Sequence, residues 1–503
     1  MTGRARAQQV VVIGVGQLRH NRDRTVDDAR EPMDLLLTAA HRCAADAGLD
    51  PAVLRELDLL DVVQIVSWNY HDAAAAAAHR LGATNAVTST SGVGGHQPVA
   101  RLLDLARRLG DGEGGLALLA GAEAQSSLDA LAKAGVANPW PRDPGGMREF
   151  PREVGGTERM WDLGLVAPIR VYPLFENRLR AELGQSFAES QDWSARLYSA
   201  FSEIATTNDA AWNPTPATPA EIRTVGPDNR MICFPYPLRM NAFAGVDQAA
   251  AVLLATAETA DALGVPAHRR IAVVAGAEAA DSEDVLDRPG FGASPGLDAV
   301  LDRALARAGR DVADLDVIDL YSCFPVVPKL AALHLDATDR PVTATGGLSS
   351  FGGPHNDYST HALVATVRAL RAASGTGLVY ANGEYLTRHA AVVLSSDVTA
   401  TGAPVVDPVD PAPPGPAAPA YLDGYTGAVT VETYTVEYDR TGEPARAYVV
   451  ARTPRGERTA ARASRADAHT LAMLVDEDVE PVGRGGSVVA VDGRRTFVAD
   501  RSA

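Results

Sequence analysis

Residues 345–362 read TGGLSSFGGPHNDYSTHA, a glycine-dense turn that runs straight into an apolar helix pattern. Gly346, Gly347, Gly352 and Gly353 permit positive φ and close approach to a ligand, while His355, Asn356, Asp357, Tyr358 and His361 put proton-handling groups into the same turn. The pattern predicts a helix over 362–373 capped by Ser359 or Thr360. Its free N–H groups and positive dipole end then face the turn, a setting for an anion or an oxyanion. A surface Ω-loop satisfying its own backbone is the other reading. The density of titratable groups favours a site.

Outward from this turn the chain carries one α/β series twice. In the first pass, residues 10–15 (VVVIGV) are a continuous apolar run of the kind a buried strand shows. A helix over 32–47 follows, with Leu36, Ala39, Ala40 and Cys43 on one face and Gly48 as its stop. Strands are predicted at 62–66, 86–88 and 116–122, with helices over 73–78 and from residue 92 or later to 108. The second pass gives a strand at 271–275, a helix over 295–308 stopped by Gly309, a strand at 317–320, the helix after the focal turn and a strand at 378–381. Local detail repeats as well: Ala47-Gly48-Leu49-Asp50 matches Ala308-Gly309-Arg310-Asp311, and Ala120-Gly121-Ala122-Glu123 matches Ala381-Asn382-Gly383-Glu384. Order and detail together predict a duplicated domain.

The chain divides accordingly. A first half spans 1–130 and is completed by 240–262; an insertion rich in Arg, Trp and Pro spans 131–239; a second half spans 263–397. Residues 398–420 include PVVDPVDPAPPGPAAPA, a spacer that forms neither helix nor sheet. After it, 427–438 (GAVTVETYTVEY) alternates with period two, and 421–503 reads as a small antiparallel β-barrel, OB-like, docked on the rest.

Bulk properties narrow the function. With 503 residues and a formal charge of −17, the surface as a whole does not suit nucleic acid or an anionic membrane. Three cysteines without metal or redox spacing support neither a disulfide framework nor a metal site, and place the chain in a reducing cytoplasm. No stretch reaches the ~18 apolar residues of a membrane helix, and no targeting signal is visible.

Two α/β halves, an insertion and a Gly-rich turn before the last helix and strand resemble the thiolase superfamily over residues 8–397. The likeness is carried by Asp319-Leu320-Tyr321-Ser322-Cys323-Phe324, which looks like the HDCF motif of sterol-carrier-protein-x type thiolases, by the 346–354 turn, which looks like GGxxxxGHP, and by Ala381-Asn382-Gly383, at the place of CxG. The GGPHNDYSTHA turn, the NGEYLTRH segment and the added β domain are similar to actinobacterial thiolase-like proteins of type one. The resemblance implies two βαβαβαββ halves layered α/β/α/β/α, a coenzyme A or acyl-CoA ligand, a place in acyl-CoA and lipid metabolism, and a monomer, the barrel covering the surface through which thiolases dimerise.

It also implies that the thiolase nucleophile is absent. A thiolase needs a low-pKa cysteine at a helix start. Aligned there is Ser89, which needs His355, His361 or His96 as base. Ala381 replaces the second cysteine, Gly353 the GHP histidine and Tyr321 the HDCF histidine, so ordinary thiolysis is not expected. The catalytic candidates are then His361 as acid/base, Tyr321 as proton carrier, Ser89, His355, and Asn382 with Gly383 as an oxyanion hole. Arg148, Arg152, Arg159 and Arg178 of the insertion, with Gly352 and Gly353, are the candidates for holding coenzyme A. Three readings stay open: a diverged acyltransferase or C–C bond enzyme, a retro-aldolase using Tyr321, and a non-catalytic acyl-CoA-binding scaffold.

Overall fold

The computed structural model describes residues 8–501 apart from 69, 142–154, 400–404, 407–409 and 412–415. The first half contains β1 (Val10–Arg19), α1 (Pro32–Asp46), β2 (Leu59–Val62), α2 (Ala73–Leu81), β3 (Val87–Thr90), α3 (Gln97–Gly110), β4 (Leu116–Ala124) and α4 (Gln125–Ala134). The insertion adds α5 (Glu158–Leu163), α6 (Pro168–Glu182), α7 (Phe187–Ala205), α8 (Pro219–Arg223) and the strand pair β5 (Met231–Cys233) and β6 (Tyr236–Pro237). β7 (Asp247–Thr256) completes the first sheet, and α9 (Ala257–Ala262) leads onward. The second half runs β8 (Ile271–Ala280), α10 (Pro295–Ala308), β9 (Val317–Leu320), α11 (Val326–His334), α12 (Tyr358–Ala373), β10 (Thr376–Gly383) and β11 (Arg388–Ser395).

Strand order makes the duplication explicit. The main sheet runs β3-β2-β4-β7-β1-β8-β11-β10-β9. Outward from the β1–β8 junction, β1, β7, β4, β2 on one side mirror β8, β11, β10, β9 on the other. Directions agree too. β7 is antiparallel to β1 and β4, as β11 is to β8 and β10, while β2 is parallel to β4 as β9 is to β10.

The central strands are buried on both faces, which is why they read as unbroken apolar runs. In β1, Val10, Val12 and Val15 face a core shared with α3 and α12, whereas Val11, Ile13 and Leu18 face the core of α1 and α2. In β11, Ala390, Val392 and Leu394 join the α3–α12 core, and Ala391 and Val393 join that of α10 and α11. Three cores therefore separate five layers, with α3 and α12 as the middle one. Gly14 and Gly16 let α1 lie against β1, since a methyl on either would strike a carbonyl oxygen of Cys43 or Ala39. Cys43 is fully buried there and its thiol pKa is raised by desolvation.

Boundaries shift where side chains capture backbone. The strand expected at 62–66 ends at Val62, because the N–H groups of Val66 and Ser67 turn to the Glu123 carboxylate (2.8 and 2.7 Å). The last helix starts at Tyr358, earlier than expected, so Ser359 and Thr360 are not its caps. Ser359 Oγ instead donates to the carbonyl of Gly95 (2.7 Å) and Thr360 Oγ1 to Asp357 (2.6 Å).

After the short strands β12 (Val405–Val406) and β13 (Asp410–Pro411), the tail forms β14 (Gly427–Tyr438), β15 (Pro444–Arg452), β16 (Arg458–Ser464), α13 (Ala468–Leu474), β17 (Gly485–Val491) and β18 (Arg494–Ala499). β14, β15, β16, β18 and β17 pair in that order, and β17 returns to β14, closing a barrel. One pair, β16 with β18, is parallel, which corrects the expectation of an all-antiparallel barrel. Val431, Tyr434, Val436, Val449, Leu474 and Phe497 fill it. Docking is extensive: β14 pairs with β5, Asn177 donates to Tyr434 O (2.9 Å), and the buried Arg458 binds Glu432 and the carbonyls of Leu286 (2.7 Å) and Arg288 (2.6 Å). The barrel thus covers the insertion and second half. It leaves the β3 edge open, where Val87 is 56% exposed.

Candidate active site

The ends of β9 and β10, the first turn of α3 and the focal turn meet at one place. Asp319 fixes the approach. Its buried carboxylate accepts from Thr343 Oγ1, Ala344 N, Thr345 N and Thr345 Oγ1, tying β9 to the chain entering the turn. Beyond it, Gly347–Phe351 forms a single π-helical turn. Its glycines serve packing. At Gly346 (φ 115°) a methyl would lie 2.7 Å from the Ala205 backbone, and at Gly352 (φ 118°) 2.6 Å from Gln248 Oε1. Gly353 N donates to Phe243 O (2.8 Å). Gly352 is therefore closed by the Gln248 side chain rather than facing a ligand, whereas a methyl on Gly353 would make only ordinary contacts, at 3.4 Å or more.

Asn356 joins the turn to α3. Its Oδ1 accepts from Gly94 N (2.8 Å), and its Nδ2 donates to Gln64 O (2.8 Å). This pins the bend before α3, and the helix begins at Gln97 with His96 as its N-cap residue. The absence of side chains at Gly94 and Gly95 then brings polar groups together. A methyl on Gly95 would fall on the Tyr321 hydroxyl, and one on Gly383 would fall on His96 Nδ1. Two buried polar atoms here lack hydrogen-bond partners among the described residues, His96 Nδ1 and Asn382 Oδ1, and the Tyr321 hydroxyl lies over Gly95 in the same cluster. Buried groups left so are uncommon and cluster at functional sites.

Electrostatics fixes their protonation. Burial, with the charges of His389 and Arg388, lowers His96 to about 3, so the imidazole is neutral. The Gln97 amide nitrogen lies 3.2 Å from His96 Nε2, an arrangement in which Nε2 accepts and Nδ1 carries the proton. Burial raises the Tyr321 pKa above that of a free phenol, and so keeps its proton on. Cys323, also at the end of β9, is pushed up to about 12 by burial and remains a thiol. Tyr172 of α6 closes the far side: its hydroxyl accepts from Asn382 Nδ2 (2.8 Å) and donates to Glu384 O (2.6 Å), and its ring stacks on Phe324 at 4.8 Å.

Tyr321, Asn382 and Gly383 are thus assembled, but the Asn382 amide donates to Tyr172 Oη and Cys323 Sγ, and Gly383 is capped by His96. His361 is elsewhere. It is fully buried in α12, bonded through Nδ1 to Gln17 Oε1 (2.8 Å) and packed on Phe351 at 4.9 Å, with Tyr358 and Phe351 between it and Tyr321. Burial lowers it to about 3, and its Nε2 is buried without a hydrogen-bond partner among the described residues. His355 adopts φ 44° and lies on the Glu123 side of the turn. Ser89 sits within β3 paired with Asp61, eight positions before α3 begins, and its side chain is 3.5 Å from Arg101. It is not a helix-start nucleophile.

Among the insertion arginines, Arg148 and Arg152 lie outside the described residues. Arg159 is held by Asp284 and Asp287 (2.7 and 2.6 Å), and Arg178 by Glu182 (2.6 Å), so both are committed to carboxylates. Among the described residues no group of His, Cys, Asp or Glu is placed to hold a metal, and no helix is long and apolar enough to cross a membrane. Tyr172 is the member that sequence reading passed over, and His96 was named there only as a possible base for Ser89. For His96 a signal existed: Gly-Gly-His before a proline-started helix. Tyr172 arrives from the insertion by tertiary packing and carried none.

Residues 408–494 match the family model of the thiolase-like protein type 1 additional C-terminal domain. The 3-ketoacyl-CoA thiolase of Shewanella baltica is 38% identical over 113 residues, 22% of this chain and 26% of that protein, so the match spans about a quarter of the relative's length. In structure, the chain is similar to a monomeric SCP2-thiolase-like protein type 1 from Mycobacterium smegmatis, with TM-score 0.80 and 25% identity over 98% of this chain and 99% of the other. It also shares its fold with an Ltp2-ChsH2(DUF35) aldolase (TM-score 0.61, 17% identity, covering 78% of this chain and 99% of that one) and with the acetyl-CoA acetyltransferase of Syntrophomonas wolfei (TM-score 0.56, 12% identity, 78% and 100%). The chain is a thiolase-fold protein that carries the additional C-terminal domain of type 1 thiolase-like proteins.

Proposed function

We propose that the protein binds a CoA thioester and acts on it by proton transfer at Tyr321, the chemistry of aldol-type carbon–carbon bond formation and cleavage. One observation carries this reading: the protonated Tyr321 hydroxyl lies over Gly95 where α3, β9 and β10 converge, in the same cluster as the buried, unpartnered His96 Nδ1 and Asn382 Oδ1. In the bond-forming direction an enolate carbon attacks a carbonyl carbon, and the phenol proton passes to the new alkoxide; in cleavage that proton returns. His96 offers a neutral N–H beside it. Relatives named as thiolases and a structural neighbour named as an aldolase support a CoA ester as the ligand class. Acyl transfer through a covalent thioester has less support, because Cys323 stays protonated and Ser89 faces Arg101. A non-catalytic binding role is favoured by one feature, His96 filling the space above Gly383.

Calorimetric titration with a panel of acyl-CoAs, followed by a cleavage assay on 3-hydroxyacyl-CoAs, tests the proposal. Affinity for none of them would remove it. Binding without turnover leaves the scaffold reading. Thiolysis of acetoacetyl-CoA is expected at background; a robust rate abolished by iodoacetamide would assign the chemistry to a cysteine instead. The chain is also proposed to be a monomer, as its M. smegmatis neighbour is described. Sedimentation velocity that returns a dimer would refute that and direct attention to the open β3 edge.

A further inference from the structure

Arginines of the insertion are engaged within the protein: Arg159 with Asp284 and Asp287, Arg170 with Glu437, Arg178 with Glu182 and Arg180 with Glu480. Arginines outside any ion pair of the described residues gather elsewhere. A cleft of about 860 Å³ opens between the end of α5 and the barrel, lined by Arg446, Arg462 and Arg494 from three strands. Arg446 and Arg494 are exposed and form no ion pair among the described residues; Arg446 reaches only the Tyr448 hydroxyl, at 3.5 Å. Arg462 is half-buried and anchored by donation to Asp162 O.

Carboxylates line the cleft too, but they do not neutralise this group. Asp423 is engaged by Arg495, and neither Asp162 nor Asp492 pairs with the three arginines through its side chain among the described residues. Burial, Arg446, Arg494 and Arg170 all disfavour the charge on Arg462, with Tyr448 acting the other way. The tight β17–β18 turn, with Asp492 at φ 49° and Gly493 at φ 73°, carries Arg494 to the rim. In a chain of net charge −17, three guanidinium groups face one cavity, and the one carboxylate acting on Arg446, that of Glu437 across the β14–β15 pair, is itself ion-paired with Arg170.

We propose that this cleft binds the phosphate groups of a nucleotide-sized ligand. Guanidinium forks match phosphate oxygens two at a time, and the volume is within the range of small-molecule sites. The shared chemistry has two sources, the nucleotide end of coenzyme A and a free nucleoside diphosphate. The site does not depend on the chemistry assigned to Tyr321.

The test is calorimetric titration of the full-length protein with pyrophosphate, ADP and CoA at low ionic strength, repeated with an Arg446→Gln/Arg494→Gln variant and with Arg446→Lys/Arg494→Lys. Wild type is expected to bind all three. The Gln variant should lose roughly tenfold or more in affinity for each, with the Lys variant between the two. Both side chains are exposed, and unchanged melting temperatures identify variants that keep the fold. CoA bound more tightly than ADP, with the excess lost in the Gln variant, would identify CoA as the source; equal affinities would identify a free nucleotide. Wild type that binds none of the three, or affinities that are unchanged in a folded Gln variant, would overturn the proposal.

Discussion

Phenylalanine in place of Tyr321 is expected to lower turnover of a CoA-ester substrate about 10²- to 10⁴-fold, the span usual for loss of a general acid/base, with ligand affinity changed only a few-fold. Only an oxygen is removed. The Tyr321 ring keeps its edge contact with Tyr358 at 5.6 Å, and no protein hydrogen bond among the described residues is broken, so a fall in stability is not expected to confuse the result. kcat and KM measured separately give the answer: a variant with unchanged kcat would remove Tyr321 from the chemistry. His361→Gln makes the contrast, with expected near-normal kinetics, since that imidazole is walled off by Phe351 and Tyr358.

The second large effect concerns stability. Lys329 is fully buried in α11 with its Nζ 2.5 Å from Glu176 Oε1 and 4.7 Å from the centre of the Trp193 ring. Glu176 also accepts from Ser190 Oγ (2.9 Å) and Tyr236 Oη (2.7 Å), so one carboxylate joins α6, α7 and β6 to the second half. Lys329→Ala is expected to destabilise the protein by about 3–5 kcal/mol, because it strands a buried charge rather than merely removing an attraction. Urea unfolding checks this. Lys329→Met with Glu176→Gln should recover much of the loss, and equal losses in both variants would show that packing, not charge, dominates.

Proton linkage offers a third measurement. His361 is held at about 3 when folded and has an ordinary value near 6.5 when unfolded, so between those limits the unfolded chain binds the extra proton. Its contribution to stability is intact above about pH 6.5 and is lost as pH falls toward 3. Asp247, raised to about 7 by burial, acts with the opposite sign: its contribution is lost as pH rises from about 4 through 7. The whole-protein profile mixes the two. Comparison isolates one: between pH 4 and 6, His361→Gln is expected to take up about one proton fewer on unfolding than wild type. Equal uptake would mean that His361 is charged in the folded protein.

The duplication was legible because both sheets are buried on two faces, leaving long apolar strands and helix stops at Gly48 and Gly309 that no tertiary contact overrides. Strands β16 and β18 were not legible. Their arginines, at positions such as Arg458 and Arg494, interrupt the alternation that identifies a strand, and each has a reason to be there that lies in another part of the chain or in the cleft. The site divides in the same way. Tyr321, Asn382 and Gly383 could be read because they end strands. His361 was misplaced because α12 begins at Tyr358, turning a residue read as part of a loop into one inside a helix and away from the cleft. The glycines of the focal turn are needed for a reason their sequence does not disclose, the close approach of α7 and Gln248.

The grip of Arg458 on the carbonyls of Leu286 and Arg288 also sets a schedule for biosynthesis. The carbonyl of Arg288 must wait for a partner 170 residues further along the chain. At roughly 5–20 residues per second, this is a delay on the order of ten to thirty seconds during translation. Through that interval the second half has its strands but not its last donor, and the Phe291 ring, over which the Arg458 guanidinium lies, is still uncovered. The nascent chain is thus most exposed to chaperones and proteases just before its end is made, and a ribosome that stalls in the spacer leaves a product that cannot complete itself.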